Sequence, residues 1–81
     1  MTVRVQFWSY FKELAGGAEA TVTLAEGATI ADLLHDLHRR FPPLAAARNS
    51  TLVAVGVDYQ PRTHPLKDGD EVSLFPPVQG G

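Results

Sequence analysis

The 81-residue chain has no cysteine, which excludes disulfides, thiolate metal sites and any catalysis or sulfur relay through a side-chain thiol. Sulfur chemistry, if any, must use another group. The chain also lacks a basic excess. Seven Lys and Arg against nine Asp and Glu give a formal charge of -2, so there is neither the electrostatic footprint of a nucleic-acid binder nor a polybasic membrane patch. No apolar run approaches the ~20 residues that span a bilayer, and "MTVRVQFW" alternates where a secretory signal is continuously apolar. These absences predict a soluble, cytoplasmic protein without a nucleic-acid or membrane partner. A second hydrophobic core is excluded by length, since each half would be too short to bury enough surface.

What is present reads as one α+β domain. In "VRVQFW" the alternation places Val3, Val5 and Phe7 on one face and Arg4, Gln6 and Trp8 on the other, the period of a half-buried strand. "SYFKELAGG" predicts a short helical turn with Ser9 as N-cap and Gly16 or Gly17 as the left-handed stop. "ATVTLAEG" predicts a second strand with Val22 and Leu24 inward and a turn at Gly27. Ile30, Leu33, Leu34, Leu37 and Phe41 form one stripe of an amphipathic helix. Thr29 caps that helix with Asp32 as the box partner, and Arg39 and Arg40 favour its C-terminal dipole before Pro42 and Pro43 stop it. "LAAARNS" reads as a loop or short turn. "TLVAVGVDY" reads as one strand, apolar on both faces, with Gly56 allowing a close approach. Tyr59 falls just past its end. After a proline-broken connection, Asp68-Gly69 predicts a tight turn into a last strand with Val72 and Leu74 inward and Ser73 and Phe75 outward. The expected architecture is a mixed sheet of four to five strands with one main helix on one face.

Most polar clusters carry no chemistry. Asp32, His35, Asp36 and His38 share a helical neighbourhood, but no further strong ligand follows nearby, so a solvated polar face is expected and no metal site. Ser9, Ser50 and Ser73 with the three histidines lack any nucleophile-elbow context. Gly16-Gly17 lacks the lysine and the strand-to-helix setting of a phosphate loop. The unexplained features are aromatic and terminal. Trp8 and Phe75 point away from the core, and with Tyr59 they would form one interface patch if the first and last strands are neighbours.

The chain then closes in "FPPVQGG". Pro76 and Pro77 have φ preset and predict a stiff, extended exit. Val78 and Gln79 are a spacer, and Gly80-Gly81 is a slender tip without Cβ atoms that suits insertion into a narrow active site. A carboxylate at that tip becomes an acyl electrophile once it is joined to AMP as a mixed anhydride. Residues 1–75 are thus expected to form the domain, and 76–81 a flexible tail.

"FKELAG" after the first strand, the "HPLKDGDEV" turn and above all "FPPVQGG" together resemble the ubiquitin-like sulfur carriers of the MoaD/ThiS family over nearly the whole chain. The paired prolines favour the molybdopterin carriers over the thiamine ones. The resemblance implies a ubiquitin-like β-grasp roll that is not an enzyme by itself and binds no cofactor. A MoeB-like enzyme using ATP would adenylate the Gly81 carboxylate, and a sulfur donor protein would convert it to a thiocarboxylate. The tail would then enter a MoaE-like large subunit, which supplies the catalytic side chains, and deliver sulfur to the pterin precursor of the molybdenum cofactor. It also implies that Trp8, Tyr59 and Phe75 form the hydrophobic contact surface and that Lys12 contributes a basic contact. Alternatives are a carrier for thiamine or tRNA thiolation, a ubiquitin-like modifier, or a plain β-grasp interaction module.

Overall fold

The computed structural model describes residues 1–77; the expectations for Val78, Gln79, Gly80 and Gly81 lie outside the described residues. Strict alternation along β1 (Thr2–Phe7) buries Val3, Val5 and Phe7 and turns Thr2, Arg4 and Gln6 outward. The first strand therefore belongs to a sheet with one covered face. On one side β1 pairs antiparallel with β2 (Glu19–Thr23), Val3 opposite Val22. On the other side it pairs parallel with β5 (Glu71–Phe75), Val5 opposite Val72 and Phe7 opposite Leu74. Next to β5 lies β3 (Leu52–Val55), antiparallel, and outside it the two-residue β4 (Asp58–Tyr59). The order β2-β1-β5-β3-β4 gives the expected mixed five-stranded sheet.

One amphipathic helix, α2 (Ile30–Arg40), covers the inner face with Ile30, Leu33, Leu34 and Leu37. Its start is fixed reciprocally. The Asp32 carboxylate accepts the Thr29 N–H at 2.8 Å, and the Thr29 hydroxyl accepts the Asp32 N–H at 3.4 Å, the expected capping box. The next two amides, Ile30 and Ala31, donate to the carbonyls of His64 and Arg62, so the segment before β5 completes the cap. Phe11 from α1 (Phe11–Ala15), Leu44 and Leu66 close the remaining sides of the core. Among the described residues no helix is long and apolar enough to cross a membrane.

Four local expectations are corrected. Ser9 is no N-cap: its φ is +56°, in the left-handed region, while Tyr10 occupies the cap position of α1 without a side-chain hydrogen bond. Gly16, with φ +75°, does end that helix. "PPLAAA" is neither loop nor simple stop but a 3-10 helix over Pro42–Ala47, because proline tolerates the first turn of a helix and Leu44 gains a buried place. The run "TLVAVGVDY" is two strands, not one, for the chain reverses at Gly56-Val57, so Tyr59 lies inside β4, opposite Ala54. Gly56 is needed for its φ of +63° at that reversal; no neighbour stands within 4 Å of where its Cβ would be, so close approach is not its reason.

Candidate functional site

The parallel pairing of β1 with β5 decides where the misplaced aromatics meet. Trp8 directly follows β1, and its N–H donates to the Leu74 carbonyl at 3.1 Å, which continues the ladder and holds Trp8 beside Phe75. The two rings stack at 5.7 Å with an interplanar angle of 14°. Tyr59 reaches the same ring from across β3, edge to face at 6.1 Å. Phe75 is thus the centre of a three-ring cluster on the sheet face opposite α2. Stacked and edge-to-face pairs of this kind each contribute about 0.5–1.5 kcal/mol beyond their buried area.

The outer rings remain available. Trp8 is 45% exposed and Tyr59 66%, an unusual amount for large aromatics that already have a partner. Beside them runs a groove of about 400 Å³ lined by Tyr10, Leu52, Tyr59, Phe75, Pro76 and Pro77. The two prolines are half-buried there. Where the chain leaves the domain it therefore runs along the aromatic patch.

Sequence reasoning missed Tyr10 and Leu52. Leu52 stands opposite Phe75 in the β3–β5 register and points outward because Val53 points inward. Its alternation was visible, but a run apolar at every position has no readable phase until its neighbours are known. Tyr10 packs edge-on against buried Phe11 and stays exposed because left-handed Ser9 swings the chain out of β1. Lys12 is brought close to Trp8 but not into the groove; it lines a separate hollow of about 210 Å³ with Gln6, Phe7, Trp8, Ala18 and Glu19. The polar border of the patch is ordered by Glu71, which accepts from Arg4 at 3.1 Å and from Gln6 at 2.9 Å.

The helical His/Asp neighbourhood is dispersed. Asp32 is engaged in the cap and Asp36 pairs with Arg39 at 2.8 Å. His35 and His38 instead face Arg48 and Arg62 across a hollow. Burial, then the charges of Arg48, Arg62 and His35, hold the His38 imidazole below its ordinary pKa. Among the described residues no three His, Cys, Asp or Glu side chains gather as a metal site would need.

A family model described as the ThiS family matches residues 5–81. A Chlamydomonas reinhardtii protein named molybdopterin synthase sulfur carrier subunit is 35% identical over 83 residues, with 100% of each chain covered. One of the same name from Escherichia coli (strain K12) is 36% identical over 81 residues, covering 98% of this chain and 99% of that one. A solved structure from Pyrococcus furiosus, assigned as molybdopterin converting factor subunit 1, superposes with a TM-score of 0.88 at 31% identity, covering 96% of this chain and 99% of the other. The family match runs through the terminal glycines, and the fold matches along nearly the whole length: the chain belongs to the ThiS family, the group of the MoaD/ThiS sulfur carriers.

Proposed function

We propose that this protein is the sulfur carrier subunit of a molybdopterin synthase, with the Gly81 carboxylate as its reacting group. The observation that carries the reading is the continuity of the Trp8–Phe75–Tyr59 cluster with Pro76 and Pro77. A docking surface and the root of the reactive tail are then one feature. A partner that covers the patch receives the tail at a defined place. The names of the full-length relatives support the choice of pathway.

The chemistry follows from a chain without cysteine. A MoeB-like adenylating enzyme joins the Gly81 carboxylate to the α-phosphorus of ATP, and pyrophosphate leaves. The terminal sulfur of a persulfide on a donor protein then attacks the acyl carbon and AMP leaves. A second thiol, on the donor or from a thiol reductant, attacks the donor sulfur of the resulting acyl disulfide, which frees the thiocarboxylate and leaves the donor sulfur in a disulfide. The thiocarboxylate is ionised near neutral pH and is a better nucleophile than the carboxylate it replaces. Residues 1–75 act as the rigid handle and 76–81 as the arm, with Gly80 keeping the reacting carbon uncrowded and Val78 spanning from the prolines to it. Trp8, Tyr59 and Phe75 dock on a MoaE-like large subunit, whose side chains perform the catalysis on the pterin precursor; Lys12 adds a charged contact beside Trp8.

Incubation with the adenylating enzyme, ATP and a sulfur source, followed by intact-mass analysis, tests the carrier role. The chain should gain the mass difference between sulfur and oxygen, at Gly81. No gain with an enzyme active on another carrier would sink the proposal. Co-expression with the large subunit tests the pathway: a stable complex that converts the precursor is expected, and a thiocarboxylated chain that fails to bind it would point to thiamine or tRNA thiolation.

A further inference from the structure

On the helix side of the sheet, away from the aromatic patch, a hollow of about 240 Å³ has an apolar floor of Ala31 and Leu34 and a rim of His35, His38, Arg48 and Arg62, completed by the Asn49 amide. Its lining contains no carboxylate, although the chain as a whole is acidic. The four cationic or titratable side chains come from three separate segments: the exposed side of α2, the turn after the 3-10 helix, and the connection before β5. Nothing along the chain links positions 35, 38, 48 and 62, so the sequence by itself presents the two helical histidines as part of a plain solvated face.

Both guanidinium groups are held in place. Arg48 donates through Nε to the Ala45 carbonyl at 3.1 Å, and Arg62 donates to the Arg48 carbonyl at 2.9 Å, which ties the two segments together. The Arg62 carbonyl in turn accepts the Ala31 N–H of α2, so the backbone at Arg62 is fixed against the same helix that carries the histidines. Among the described residues neither arginine pairs with a carboxylate; the ion pairs are Arg4 with Glu71 and Arg39 with Asp36. Like charges gathered without a counter-charge repel one another; burial first, and then the charges of Arg48, Arg62 and His35, lower the His38 pKa. Fixing each arginine with one hydrogen bond leaves its remaining N–H groups to donate elsewhere.

We propose that this hollow is a binding site for a small phosphate-class dianion. A carboxylate is satisfied by one guanidinium fork, whereas two guanidiniums and two imidazoles converging on one space match a group with two charges and three acceptor oxygens. The apolar floor leaves room for whatever small group the phosphate carries. None of its lining residues belongs to the proposed docking surface.

The test is an NMR titration of the isotope-labelled full chain at low, matched ionic strength near pH 7, with inorganic phosphate, AMP and acetate as separate probes. Phosphate or AMP should give saturable shifts centred on His35, His38, Arg48 and Arg62, and saturation should raise the His38 pKa. Equal binding of the two means the anion alone is read, and tighter AMP means the floor is used as well. Arg48→Gln/Arg62→Gln should weaken binding about tenfold or more. His35→Gln, on the exposed side of α2, should weaken it less and leaves the arginine hydrogen bonds intact should the double variant fold poorly. Acetate shifts as large as those of phosphate, shifts mapping elsewhere, or phosphate affinity unchanged in the folded variants would overturn the proposal.

Discussion

Phe75 and Leu74 are neighbours in β5 that face opposite ways, and replacing each by alanine should separate docking from folding. Leu74 is 2% exposed in the core, so Leu74→Ala combines lost transfer energy with a cavity, about 2–5 kcal/mol. Phe75→Ala leaves the core alone but removes two ring pairs, with Trp8 and with Tyr59. At about 0.5–1.5 kcal/mol each, and toward the lower half because the partner rings are wet, the pairs contribute about 1–2 kcal/mol, to which the area buried by the half-buried ring adds. For a domain of this size each kcal/mol lowers Tm by about 4–8 °C, so the Phe75 variant should melt earlier yet remain folded at 25 °C. Binding should show the reverse order of sensitivity. A central aromatic anchor is worth at least about 2 kcal/mol at an interface, so Phe75→Ala should weaken the complex with the large subunit about 30-fold. Urea and thermal melts give the first number and calorimetric titration the second. The reasoning fails if Phe75→Ala destabilises the fold as much as Leu74→Ala, or if its Kd changes by less than about threefold.

Asp32→Ala should cost more stability than Thr29→Ala, both within about 0.5–2 kcal/mol, because the aspartate accepts at 2.8 Å while the threonine oxygen accepts only at a long 3.4 Å; equal losses in urea melts would contradict this. His38 is less easily protonated in the folded chain than in the unfolded one, so its share of stability is complete above its ordinary pKa near 6.5 and is lost as pH falls through the lower folded value. Thermal melts between pH 5 and 8 should show that decline, and His38→Gln should flatten it; an unchanged slope would remove His38 as its source. Deleting Gly81 should abolish the sulfur-for-oxygen mass gain while leaving Tm unchanged, and a large drop in Tm would contradict a tail that serves chemistry alone.

Local physics was readable along the chain wherever one residue's neighbours in sequence are also its neighbours in space. The stripe Ile30, Leu33, Leu34, Leu37, the Thr29–Asp32 box and the left-handed stop at Gly16 are of this kind. Reading was hardest where the pattern has no phase or the backbone departs from what the residue prefers. The valine-rich run concealed a reversal at Gly56-Val57, and Ser9 adopts a conformation that its type favours little.

The candidate sites divide in the same way. Alternation alone showed that Trp8 and Phe75 face out of the core, and "FPPVQGG" carried the family resemblance. Only the tertiary structure decided that Trp8, Phe75 and Tyr59 form a single cluster joined to Pro76 and Pro77, and that His35 and His38 face Arg48 and Arg62. The reason is sequence distance. A strand or helix period constrains residues a few positions apart, whereas pairing β1 in parallel with β5 brings together positions 67 residues distant, Arg4 beside Glu71, through a sheet order that no local pattern specifies.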